Sequence, residues 1–359
     1  MPDEQSKKVE SLSQFIECLK SIHPSKDEIV VYRGHSDADY ELKPGLFRKG
    51  NERLRGNEAE IFRDVEAARP MAFINDRTTL DKLVTMQHYN LPTRLLDVTS
   101  TPLTALYFAV TSRQENGLVQ EKDGAVLVLT ISKDINKFFD SDTVTCLANL
   151  VHLSEEDKDK ILKLVKKNIF YLECVDSYIK IPYASRKKQI SSEQDEEKKK
   201  KYKIIKKEYT EYKKTKPLIR SDNTRDNDFD DDFVKKQKKK RRDKFNKKKT
   251  TKHFIHFIRA DKAYFQPKIC PEDLLRVLLV KTRQCNSRIV AQAGAFLIFG
   301  LEDEIPQTNP SISVEKIVIP REKKNEIAQE LSSLGIHESS LFPELEYYTR
   351  HVVDVYNNS

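Results

Sequence analysis

Residues 187–252 hold 26 lysines and arginines against 13 aspartates and glutamates, whereas the rest of the chain holds 38 against 43. The net charge of +8 over 359 residues is thus one strongly basic stretch joined to a mildly acidic body. A stretch with so few apolar residues is expected to be either a long solvated helical hairpin or largely disordered. The two flanking blocks must then build the fold. This length allows two domains, or one domain carrying a large insertion. The low hydrophobic share, 38%, and the high charged share, 33%, trace largely to the same stretch.

Several classes are excluded. No run approaches the ~18–20 apolar residues of a membrane span. The first residues, MPDEQSKKVESLSQF, are polar and lack the apolar centre of a secretion signal. Cys18, Cys146, Cys174, Cys270 and Cys285 are scattered without C-x-x-C spacing, which argues against structural zinc and a disulfide framework. The expectation is a cytoplasmic protein with no membrane contact. The phosphate-binding patterns G-x-x-x-x-G-K-[ST] and G-x-G-x-x-G and the nucleophile pattern G-x-S-x-G are absent. The eight histidines lack ligand spacing, so no metal site is expected.

Helical spacing of Val9, Leu12, Ile16 and Leu19 predicts a helix over 8–23. The β-branched run EIVVYRG (28–34) predicts a buried strand. Helices are expected at 57–75, interrupted near Pro70, and at 78–89, ended by Asn90, Leu91 and Pro92. TRLLDVT predicts a short strand, TPLTALYFAVTS a helix opened by Pro102, and GAVLVLTIS (124–132) a strand. Residues 133–183 read as short helices and loops. SRIVAQAGAFLIFGL reads as two short strands joined near Ala293 and Gly294, 316–320 as a last strand and 321–334 as a last helix. The class is α+β, because helices gather early, strands late, and strict βαβ alternation is absent.

Three places join polar residues to buried elements. Tyr32, Arg33 and Gly34 end a strand. An arginine there can present its forked donors to a phosphate, and the glycine permits close backbone approach. The alternative is an arginine tied to a buried carboxylate. The second place runs from Gln87 to Asp97 and on through Thr99, Ser100 and Thr101, placing His88, Arg94, Asp97 and three hydroxyls at a helix start that favours an anion. The alternative is capping by Asp97 or Thr99, with Arg94 paired to Asp97. The third is Arg288 to Phe296, where Gln292 precedes Gly294 and either lines a cleft or bonds backbone.

Taken together these segments resemble the FRG-domain family. The residues are V-Y-R-G-H at 31–35, L-K-P-G-L-F-R at 42–48, Q-H-Y-N-L-P-T-R-L-L-D-V-T at 87–99, P-L-T-A-L-Y-F-A at 102–109 and R-I-V-A-Q-A-G-A-F at 288–296. The tail at 319–345 also looks like members of this family. The resemblance covers about 28–130 and 253–345, and Val98 stands where relatives usually carry an aromatic. It implies an N-terminal helix at 1–27, a first part at 28–186, a Lys-rich insertion at 187–252 and a second part with a C-terminal helix at 253–359.

A second resemblance, carried by Tyr32-Arg33-Gly34, Thr99-Ser100-Thr101 and Gln292, is to Arg-Ser-Glu type ADP-ribosyltransferases. It implies an ADP-ribosyltransferase-like split β-sandwich, with NAD as co-substrate in a cleft between two small sheets. By that likeness Arg33 grips the pyrophosphate, Ser100 or Thr101 bonds the ribose, and Tyr107 or Tyr89 stacks on nicotinamide. Gln292 stands where the family's catalytic Glu belongs, with Glu272 and Glu302 as alternatives. The implied catalytic set is Arg33, Gln292 and Ser100. The implied cofactor-binding set is Tyr32, Arg33, Gly34, His88, Tyr89, Arg94, Thr99, Ser100, Thr101 and Tyr107.

Members of this kind are toxins or phage-defence effectors, which implies an antitoxin protein as a partner. The lysines of 187–252, with Tyr202, Tyr209, Tyr212 and Phe245 interleaved, point to a nucleic-acid acceptor, RNA ahead of DNA. The competing readings are a metal-independent nuclease using His88, Arg94 and Asp97, and a non-catalytic module that senses a nucleotide.

Overall fold

Ten strands form among the described residues, the longest of them from β-branched and aliphatic runs. They are β1 (Lys7–Lys8), β2 (Glu28–His35), β3 (Leu95–Thr99), β4 (Arg113–Glu115), β5 (Leu118–Gln120), β6 (Gly124–Ser132), β7 (Asn136–Phe138), β8 (Val277–Lys281), β9 (Gly294–Phe299) and β10 (Ile312–Ile319). The structure is a computed structural model and describes residues 7–111, 113–115, 118–120, 122–181, 185–215, 226–283, 287–305 and 309–357. The chain divides into two compact units. One runs to Ala148 and resumes at Arg276, and the other is Asn149–Leu275.

The first unit holds one eight-stranded mixed sheet in the order β1-β10-β6-β2-β3-β9-β8-β7, and β4 and β5 form a separate hairpin. The expected sandwich of two small sheets gives way to this single sheet because β2 and β3 are joined through one pair, Tyr32 with Thr99. On either side the pairing is extensive. β2 matches β6 from Glu28–Ser132 to His35–Ala125, and β3 matches β9 from Leu95–Ile298 to Thr99–Gly294. The sheet is therefore firm in each half and thinly joined at its centre.

One sheet face is covered by the helices Leu12–Lys20, Pro102–Val110 and Lys324–Ser333. Phe15, Leu106, Val126, Ile319 and Leu331 meet in that core, all essentially without exposure. Ser11 caps the first of these helices by accepting from Gln14 N–H at 3.3 Å, and Pro102 opens the second, where its missing N–H costs nothing. Gly34 has a packing reason. A Cβ there would stand 2.0 Å from the Ala105 carbonyl oxygen and 2.8 Å from Ala109 N. The close approach it permits is that of the 102–110 helix to β2, rather than of a ligand.

Two expectations fail locally. Residues 287–291 form a helix, Ser287–Ala291, rather than a strand. Ala293, at φ 46°, turns the chain into β9. Residues 133–183 contain a 26-residue helix, Glu155–Lys180, started by the Ser154 hydroxyl accepting from Asp157 N–H.

The second unit contains that helix with Arg186–Ser192, Glu196–Thr215, Asp226–Asn246 and Lys249–Asp261. The basic stretch builds much of it and is helical in its described parts. Its core joins Tyr171, Cys174, Val175 and Tyr178 to Ile190, Tyr202, Ile205, Tyr209, Tyr212 and Phe233. Tyr202, Tyr209, Tyr212 and Phe245 are only 3%, 3%, 6% and 1% exposed, so these rings are not surface platforms for bases. The acidic run supplies their partners: Asp230 accepts from the Tyr209 hydroxyl and from Arg186, and Asp232 accepts from Tyr212. Cys18, Cys146, Cys174 and Cys270 are free thiols, and Cys285 lies outside the described residues. Among the described residues no helix is long and apolar enough to cross a membrane.

Candidate functional site

Past the Tyr32–Thr99 pair, β2 and β3 part, and a cleft of about 360 Å³ opens there. The period of two puts Arg33 and His35 on the same face of β2. The Arg33 guanidinium spans the gap. Its Nη1 donates to the Asp97 carbonyl oxygen at 2.5 Å and its Nε donates to His35 Nε2 at 3.1 Å. The side chain is 16% exposed and lines the cleft. Arg48 and Arg288 also line it, so three arginines border one concavity.

To accept from Arg33, His35 must be neutral at Nε2. Burial first, and then the charges of Arg33, Arg48 and Lys316, push its pKa down to about 3. The unfolded value is the ordinary ~6.5. Above that pH both states are neutral and the full stability is present. As pH falls from about 6.5 toward 3 the unfolded chain takes up a proton that the folded chain refuses, so stability is lost. Denaturation midpoints measured from pH 7 to pH 4 should fall more steeply for the wild type than for His35→Gln, which cannot take up that proton. Parallel slopes would contradict this role.

The helix Thr79–His88 brings in the next group. A capping box of Thr78 and Asp81 starts it, and Asn90, at φ 65°, ends it with Leu91 N–H bonded to the Met86 carbonyl. Asparagine tolerates this left-handed geometry better than most residues. The turn returns Thr93 to Gln87. The Thr93 hydroxyl donates to Gln87 Oε1, and Gln87 Nε2 donates to Asp97 Oδ2 at 2.7 Å. His88 lines the cleft with its Nε2 3.6 Å from Glu344 Oε1. Burial and the Arg288 charge lower its pKa, against an upward pull from Glu344.

The third group joins β3 to the turn before β9. The Thr99 hydroxyl donates to the Gln292 carbonyl at 2.7 Å and accepts from Thr101 N–H at 3.0 Å. Gln292 lines the cleft, and its Nε2 donates to the Leu341 carbonyl at 3.1 Å. Phe342, the next residue, forms part of the wall and lies under the Arg288 guanidinium at 4.8 Å. Arg288 in turn pairs with Glu344 at 2.8 Å.

Arg33, the 87–99 segment and Gln292 thus come together around one opening, and β2, β3 and the helix that follows lie in one stretch of chain. Residues 28–117 match the FRG domain family. No curated protein and no solved structure matches the chain. The FRG region supplies the floor of the cleft and the 87–97 relay, and Arg288, Gln292 and Phe342 come from beyond it.

Of the residues expected from the sequence, Tyr32, Arg33, Gly34, His88, Thr99 and Gln292 line the cleft. Others do not. Ser100 is exposed and turns back to the Ala293 carbonyl at 3.4 Å, so the cleft hydroxyl is Thr99. Thr101 precedes the 102–110 helix, its N–H spent on Thr99. Tyr89 is 72% exposed and lies edge-on to His88, outside the lining. Tyr107 packs against the sheet core. Besides Tyr32, the aromatic walls are Tyr40, Phe108, Phe296 and Phe342.

Arg94 is 2% exposed and belongs to the interior. It bonds Glu58 at 2.9 Å and the carbonyls of Phe299 and Gly300 at 3.2 and 3.0 Å. A nuclease set of His88, Arg94 and Asp97 is therefore not assembled. Glu272 lies in the second unit and Glu302 follows β9, and neither lines the cleft. His35, Arg48 and Gln87 also line the cleft without being among the expected residues, although each lies inside one of the family-like segments.

Proposed function

We propose that the cleft binds NAD and transfers its ADP-ribose to a nucleic acid, RNA ahead of DNA, as an effector harmful to the cell or to an invading phage. The observation that carries this is the convergence of Arg33, Thr99 and Gln292, from three distant stretches, on one cleft of ligand size. Three arginines suit a diphosphate, and the walls of Phe108, Phe296 and Phe342 suit an aromatic base. Arg33 holds the diphosphate, and Thr99 fixes the turn that carries Gln292. The C1′–N bond to nicotinamide breaks with its electron pair leaving on nicotinamide. A lone pair of the acceptor then forms the new bond to C1′, and the acceptor's proton passes to water. Positioning and electrostatics supply the catalysis.

The acceptor reading rests on the second unit. Lys236, Lys239, Lys240, Lys244, Lys247 and Lys248 line a groove of about 920 Å³, where they outnumber the carboxylates of Glu208, Glu211 and Asp243. Their spacing of three and four residues sets them along one side of the Asp226–Asn246 helix and just past its end. With the aromatic rings buried, such a groove contacts phosphates rather than stacked bases.

Incubation with NAD labelled in its adenylate half and with total RNA should place label on RNA. Changing Lys239, Lys244 and Lys247 together to Gln should lower that labelling severalfold and leave NAD hydrolysis intact. Label on protein alone would overturn the acceptor class.

A further inference from the structure

We infer that Asp97 is the catalytic carboxylate of the cleft, the group that stabilises positive charge on the ribose as nicotinamide departs. This rests on the reading of the cleft as an NAD-cleaving site. That reaction needs negative charge beside C1′ in the transition state. Gln292 is a neutral amide, and its N–H is already bonded to the Leu341 carbonyl. Among the described residues, Asp97 is the one carboxylate that lines the cleft.

Its surroundings are those of a held group. Asp97 is the central residue of β3, paired with Phe296 of β9, at the point where β2 has moved away. The Thr93 hydroxyl occupies Gln87 Oε1, so the amide of Gln87 must turn its N–H toward Asp97. Thr93 is itself fixed, its oxygen accepting from Leu95 N–H at 3.1 Å. Arg33 Nη1 stands 3.8 Å from the same Asp97 oxygen, Oδ2. Both contacts fall on Oδ2, and the side chain is 60% exposed. Oδ1 is thereby turned over to a ligand. The relay gives Gln87, Thr93 and Asp97 of the Q-H-Y-N-L-P-T-R-L-L-D segment one joint use, which capping alone does not.

The chemistry balances without a further reagent. The C1′–N bond breaks with its pair on nicotinamide, the Oδ1 charge faces the cationic C1′, and the acceptor or water forms the new bond and gives up its proton to solvent. Asp97 itself forms and breaks no bond in this step. Gln87 is a positioning residue that acts through Asp97.

The test is nicotinamide release by full-length Asp97→Asn, Gln87→Leu and Gln292→Ala, with NAD affinity measured on each. Asp97→Asn should lower kcat by about 100-fold or more with NAD affinity changed no more than about threefold. Gln87→Leu should lose about tenfold in kcat at unchanged affinity, and Gln292→Ala should lose less than Asp97→Asn. Matching melting temperatures show that the variants fold. Wild-type kcat in Asp97→Asn, beside an inactive Arg33→Ala, would overturn this assignment and leave the transferase reading standing. A wild-type protein that binds but never cleaves NAD would remove both.

Discussion

Replacing Arg33 by alanine is expected to lower kcat/KM for NAD by about 100- to 1000-fold, because an electrostatic donor is removed from a half-enclosed cleft. The loss should appear in binding, since the diphosphate is charged in ground and transition states alike, and also in turnover, since Arg33 stands 3.8 Å from Asp97 Oδ2 and helps hold that carboxylate in place. Arg33→Lys should recover only part of it. An ammonium cannot make the paired contacts that hold Arg33 to Asp97 and His35 at one edge while it presents donors to a ligand. The fold should survive. Arg33 follows the one pair that joins β2 to β3, but β2 is held independently by its long pairing with β6. Kinetics of nicotinamide release together with urea midpoints separate the two effects. A large stability loss with unchanged kcat/KM would make Arg33 a structural clasp.

Arg94 predicts the opposite pattern. Arg94→Ala leaves the Glu58 carboxylate, 6% exposed, without its cation and leaves the Phe299 and Gly300 carbonyls short of a donor. Removing one partner of a buried pair costs about 3–5 kcal/mol. The double change Arg94→Met with Glu58→Leu should cost less than either single change, because no buried charge is then left alone. Urea denaturation of the three variants checks this. A fully stable but inactive Arg94→Ala would instead return Arg94 to the chemistry.

Much of the first unit can be read directly from the chain. β2, β3 and β6, and the helices at 12–20, 79–88 and 102–110, follow from apolar period and, for the last, from Pro102 as a start signal; the caps of Ser11 and Thr78 set the first two starts in the structure. The second unit was hidden by its own charge. Tyr202, Ile205, Tyr209 and Tyr212 repeat at three- and four-residue spacing, a buried stripe in a lysine background, and composition averages it away. The cleft was legible as motifs and not as roles. The period of two tells that Arg33 and His35 share a face, yet no local pattern tells that Ser100 turns outward while Thr99 turns in, or that Arg94 enters the core. Those choices depend on β9 and Glu58, which lie far away in sequence. Gln292 precedes β9 instead of lying on a strand, because the positive φ of Ala293 ends one element before the next begins.

The reaction proposed for the cleft between β2 and β3 is cleavage of the nicotinamide bond of NAD. Nicotinamide released from NAD by the purified full chain, with total RNA present, measures it directly. Release should run well above the protein-free control, be abolished in Arg33→Ala and be strongly reduced in Asp97→Asn. Release no faster than the control, from protein that melts cooperatively, would contradict it.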